Sequence, residues 1–122
     1  MKHFTIAFAL VLLAGCAGNA PGTQLNQAYR AYDQGNCDAV ISHLSRAERA
    51  ARSRPHLQPE ISLLRGLCLE RQGLYLDAAQ TYRFLQQRYP ASEYSYRAGA
   101  RLETLRQLGH YDPERAVPHA AR

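Results

Sequence analysis

Three cysteines and five histidines are the residues best equipped for chemistry, and their spacing decides which chemistry is open to them. His3, His43, His56, His110 and His119 never pair at i,i+4, so no helix can offer two imidazoles to one metal ion in that register. The chain has no HExxH, no zinc-type Cys/His grouping and no glycine-rich phosphate loop. Ser42, Ser45 and Ser53 lie near His43, but a serine close to a histidine within a helix is ordinary. No catalytic residue, no metal and no diffusible cofactor is therefore expected, and the chain does not read as an enzyme. Arg46, Arg49, Arg52 and Arg54 form a basic stripe. It reads either as a solvated helix face, with Glu48 interleaved, or as a contact for anionic lipid head groups or an acidic partner. The full chain carries +5, of which Lys2 is the only lysine. Arginine is otherwise the sole cation, and the mild excess gives little reason to expect a nucleic-acid partner.

The amino terminus gives the third cysteine a different role. Met1-Lys2-His3 is a short basic start, and Phe4 to Leu13 is apolar apart from Thr5. That is the layout of a secretory signal, too short for an ordinary membrane-spanning helix. It ends in Leu13-Ala14-Gly15-Cys16, which resembles the bacterial lipobox. The resemblance implies cleavage before Cys16, a diacylglyceryl thioether on its sulfur, and acylation of the new amino group. Residues 1–15 are then the signal peptide and 16–23 a lipidated tether. The absence of aspartate at position 17, where Ala17 stands, resembles an outer-membrane address on the periplasmic face of a Gram-negative envelope. One buried acyl chain holds a protein only marginally and two or more hold it stably. Ala17 to Thr23, rich in small residues, reaches at most about 25 Å, so the folded part works close to the bilayer.

These residues need elements to position them, and the elements read as helices throughout. Aliphatic residues recur at helical spacing, with no strand-period stretch. A first helix opens at Leu25 and breaks at Gly35-Asn36. Asp38 is expected to cap a second, with Val40, Ile41, Leu44 and Ala47 on one face. Arg52 to Pro55 and Pro59 bracket a loop. A third helix, Glu60 to Gln72, is apolar on most sides through Ile61, Leu63, Leu64, Leu67, Cys68 and Leu69, and so belongs in the interior. A fourth runs from Leu76 to Tyr89 and stops at Pro90. Ser92 caps a fifth that runs to Leu108, and Asp112-Pro113 starts a last short turn. The length suits one small domain.

The breaks at Gly35, Gly73 and Gly109 recur at near-equal intervals, a period that signals a helical repeat. Gly66, Leu69, Gly73, Tyr75, Ala78, Tyr82, Leu85 and Pro90 resemble the tetratricopeptide pattern. Small residues let two antiparallel helices approach, and aromatic residues fill the gaps. Arg65 and Ser62 depart from that pattern, Cys37 and Val40 replace its turn aromatic and alanine in the first unit, and the third unit lacks a second helix. The resemblance implies an all-α fold: a short right-handed solenoid of about five antiparallel helices over residues 24–112, with 113–122 as a tail. It also brings Cys37 and Cys68 toward one end, where an oxidising compartment leaves them as either a bridge or two buried thiols.

Such a fold implies a binding module. The expected partner groove is lined by Tyr29, Tyr32, Leu63 and Leu67, with Arg97 and Arg101 at one edge. The function expected is a scaffold or assembly factor for other envelope proteins, of the kinds that serve outer-membrane protein assembly, pilus secretins or polysaccharide export. A structural lipoprotein that binds peptidoglycan, or an accessory subunit of an envelope enzyme, are the alternatives.

Overall fold

The structure is a computed structural model that describes residues 20–115. The signal segment 1–15, the lipid-bearing Cys16 and the end of the tail past Arg115 lie outside the described residues. The described residues are all-α, with five α-helices and no strand: α1 (Pro21–Asp33), α2 (Cys37–Ala50), α3 (Gln58–Arg71), α4 (Tyr75–Arg88) and α5 (Glu93–Gln107). Two short 3-10 turns, Ala51–Ser53 and Pro55–Leu57, connect α2 to α3. The chain divides into two compact units, Met1–Pro55 and His56–Arg122.

Three helix ends share one solution. After α1, Gly35 (φ 73°) lets the Asn36 amide reach the Ala31 carbonyl at 2.9 Å, while Gly35 N–H donates to Tyr32. Gly73 after α3 and Gly109 after α5 repeat the pattern, with Leu74 donating to Leu69 and His110 to Leu105. This is the Schellman arrangement, in which a left-handed residue turns the chain back to satisfy orphan helix carbonyls. A side chain is strained at such a φ, which is why glycine stands at each.

The starts differ from expectation in three places. α1 begins at Pro21, so Pro21, Gly22 and Thr23 are helical and not tether. Proline at the first helical position costs nothing, because its missing N–H would be unpaired there anyway. α2 is capped by Asn36, whose side chain accepts from the Ala39 amide at 3.1 Å, whereas Asp38 lies inside the first turn. Pro59, expected in a loop, falls within the first turn of α3 for the same reason as Pro21. Ser92 caps α5 as its position suggested, accepting from Tyr94 N at 3.2 Å.

In the first unit α1 and α2 form an antiparallel hairpin around Leu25, Ala28, Ala31, Val40, Leu44 and Ala47, all buried. The alanines permit close approach, and the buried Gln24 amide is held by His43 Nδ1 at 3.1 Å. In the second unit α3, α4 and α5 pack pairwise around Leu63, Ala78, Tyr82, Leu85, Ala98 and Leu105. Tyr82 is fully buried, and its ring lies where a β-carbon on Gly66 would have to be. Glycine at 66 is therefore a condition of the Tyr82 packing. The buried Ser95 hydroxyl reaches back to the last carbonyls of α4, 2.8 Å from Leu85 O and 2.6 Å from Tyr89 O, and so ties α5 to the end of α4.

Candidate functional site

The residues expected to line a groove do not share one environment. Tyr29 and Tyr32, three apart on α1, are both half-buried. Leu63 is 3% exposed and belongs to the core of the second unit, so it cannot face a partner; Leu67 is half-buried and packs against that same core. Arg97 is exposed on α5. Arg101 is engaged within its own unit. Its Nε donates to both carboxylate oxygens of Glu70 at 3.1 Å and its Nη2 to Oε2 at 2.5 Å, which locks α5 to α3. The pair is sheltered on the acid side, with the Glu70 side chain 10% exposed against 40% for Arg101. The two-fold contact with Glu70 raises the Arg101 pKa above its ordinary value.

Next to this pair lies the Tyr82 hydroxyl. It makes no hydrogen bond of ordinary geometry, yet it is fully enclosed. Burial first, and the negative charge of Glu70 second, push its pKa far above the phenol range. The phenol therefore stays neutral at any physiological pH. The cluster of Glu70, Arg101 and Tyr82 ties α3, α4 and α5 together, with the phenol enclosed and the guanidinium partly open to solvent.

The other repeat-pattern residues have structural roles too. Ala78 is fully buried, Gly73 forms the turn, and Pro90 follows the end of α4. Tyr75 stacks on His110 with ring centroids 3.8 Å apart and planes 14° from parallel, joining the start of α4 to the residues after α5. Tyr94 is half-buried on α5; burial and the carboxylates of Glu60 and Glu93 raise its pKa. Cys37 and Cys68 are both disulfide-bonded.

Sequence reasoning missed the exposed apolar side chains. Leu74 (47%), Leu76 (65%) and Leu108 (65%) flank the turn glycines Gly73 and Gly109 at one end of the second unit, while Phe84 (47%) and Tyr96 (84%) lie on the outer faces of α4 and α5. Phe84 meets Tyr89 edge-to-face at 6.1 Å, and the Arg88 guanidinium sits 5.5 Å above the Tyr89 ring. The signal that could have found Leu74, Leu76 and Leu108 is their place beside a turn glycine, where a helix start or end has no neighbour to cover it. Around Tyr96 the exposed face of α5 is polar, carrying Glu93, Arg97, Glu103 and Gln107.

An open depression of about 510 Å³ lies after α5, lined by Arg106, Tyr111, Glu114 and Arg115 among others. Its cations are already engaged: Arg106 pairs with Glu103 at 2.6 Å and Arg115 with Asp112 at 3.4 Å. Among the described residues no group of three His, Cys, Asp or Glu side chains could hold a metal ion, and no helix is long and apolar enough to cross a membrane. No protein-family model matches this chain, and no curated protein or solved structure shows significant similarity to it.

Proposed function

We propose that the chain is a lipid-anchored lipoprotein of the bacterial outer membrane whose TPR-like helical repeat holds other envelope proteins on the periplasmic side. The observation that carries this reading is the tetrapeptide Leu13-Ala14-Gly15-Cys16 at the end of an apolar run. The repeat part draws support from the three like-built glycine turns and from the fit of Gly66 against Tyr82. A helical repeat offers shaped surface and few reactive groups, which suits holding better than chemistry.

Two measurements test it. Metabolic labelling with a fatty-acid analogue is expected to mark the wild-type chain and not Cys16→Ala, which accumulates as an uncleaved or mislocalised precursor. A Cys16→Ala chain that still takes up label and stays with membranes after a high-salt wash would sink the anchor. For the partner, photo-crosslinkers at Tyr29, Leu76 and Tyr96 in cells are expected to capture a small, reproducible set of envelope proteins. Tyr29→Ala should weaken capture while leaving the helical signal intact. Capture of none, from any position, would overturn the scaffold reading.

A further inference from the structure

The first unit gathers four of its five arginines at one end. Arg46, Arg49, Arg52 and Arg54 are all exposed, and among the described residues none of the four has an acidic partner. Arg46 and Arg49 occupy the last turns of α2, Arg52 the 3-10 turn that follows, and Arg54 the residue just after it. Because α1 and α2 form an antiparallel hairpin, with Gln24 near the start of α1 bonded to His43 midway along α2, the end of α2 is also the end at which α1 begins. Arg30, in the last turn of α1, stands at the opposite end.

The early start of α1 sharpens the consequence. From Cys16 to Pro21 is five residue steps, at most about 18 Å even if fully extended, where the sequence had suggested a longer tether. We infer that the Arg46–Arg54 end of the first unit lies on the membrane and docks on anionic phospholipid head groups; this rests on the lipid-anchored reading above. A short anchor leaving the same end as four exposed guanidiniums holds them within reach of the bilayer surface. Guanidinium groups match phosphate geometry with paired N–H donors. Each basic side chain near an anionic surface adds attraction, and the sum is screened by salt. The anchor fixes where the chain is held, and the stripe fixes which way it stands.

The test uses the full chain purified from membranes, with intact mass reporting whether Cys16 carries lipid. The protein is reconstituted into vesicles of phosphatidylcholine, or of phosphatidylcholine with phosphatidylglycerol, and its arginines are reacted with phenylglyoxal and mapped by mass spectrometry. Arg46, Arg49, Arg52 and Arg54 are expected to react several-fold more slowly on the phosphatidylglycerol vesicles, with the difference lost at high salt. Arg30 and Arg97 are expected to react alike on both. Equal reaction of the stripe on both vesicles overturns the proposal. Protection on both that grows with protein density also overturns it, and assigns the face to a second copy of the chain. Should the mass show no lipid, the anchor reading fails by itself, and the stripe is tested by sedimentation of the free chain with the same vesicles. Salt-sensitive binding to phosphatidylglycerol vesicles, weakened about five-fold for each Arg→Gln change, sustains the contact. Absence of binding overturns it.

Discussion

In the α1–α2 unit, four arginines at one end stand in solvent without an acidic partner, whereas in the α3–α5 unit Arg101, Arg106 and Arg115 each hold a carboxylate. The interiors differ in the same sense. The first unit is lined mainly by alanine and branched aliphatics; the second is built around a buried tyrosine, with an ion pair across two helices. Both end their first helix with the same glycine turn. Like turns with unlike interiors teach that the glycine turns fix where the chain reverses, while the side chains between turns decide how many of a unit's charges are used in its own packing.

Disulfide reduction is the harshest way to break this contrast, because each unit holds one of the bonded cysteines and both are buried, Cys37 at 7% exposure and Cys68 at 0%. A link between the two, proposed from the sequence, would close a loop of about thirty residues, for which loop-closure entropy gives roughly 3.5–4 kcal/mol. The Cys37→Ser/Cys68→Ser double variant is expected to unfold at a much lower denaturant midpoint than wild type, and wild type in reductant should match it. An unchanged midpoint, or two thiols that alkylate without reductant, would rule the link out.

The next test targets the interior of the second unit. Gly66→Ala puts a methyl group where the Tyr82 ring lies, and that ring is enclosed on every side. Overpacking of this kind costs about 1–3 kcal/mol. The prediction is read from thermal unfolding, and adding Tyr82→Leu should recover part of the loss by making room. If Gly66→Ala is neutral, the ring is less constrained than its burial indicates.

Arg101→Met comes third. It leaves the Glu70 carboxylate, only 10% exposed, without its cation. A fully buried broken pair costs several kcal/mol, but Arg101 is 40% exposed, so solvent screening reduces the expected loss to about 1–2 kcal/mol. Glu70→Gln/Arg101→Met should recover much of that, since neither charge is then stranded. A double variant as unstable as Arg101→Met alone would show that the arginine stem, and not the pairing, is what matters.

Much of the fold was legible because it is written in punctuation. Glycine, proline and capping serine mark helix ends locally, and Gly35, Gly73, Ser92 and Gly109 stand where the chain turns or starts again. The boundaries that slipped involve residues with two readings. Pro21 and Pro59 look like loop residues but suit a first helical turn, and Asn36 competed with Asp38 for one cap. The site was far less legible. Arg101 and Glu70 are 31 positions apart, and no periodicity couples them. Leu63 has the spacing of a groove residue and the burial of a core one, a distinction that depends on neighbours supplied by α4 and α5.

The smallest effect expected is the one that compares the two kinds of arginine most directly. Arg106 and Arg49 are both exposed helix residues, yet Arg106 bonds Glu103 through Nε at 2.8 Å and Nη2 at 2.6 Å, while Arg49 faces solvent. Hydrogen bonds from Arg106, then from Gln107, hold the Glu103 carboxyl down at about 2, against 4.5 for an ordinary glutamate. A folded-state value below the unfolded one means that the interaction is fully present above the ordinary glutamate range and is lost as pH falls from 4.5 through about 2. Both groups are fully exposed to water, so the change in overall stability is expected to be too small to shift the melting temperature measurably. The titration of the carboxyl itself is the sensitive readout. By carbon-detected NMR, Arg106→Gln should move the Glu103 midpoint up toward its ordinary value, with high salt moving it part of the way in the wild type. Arg49→Gln should move no carboxyl midpoint in its own unit, because it has no acid to hold. A shift of Glu48 on that substitution would show that the stripe is internally paired after all, and would remove the contrast between the two units.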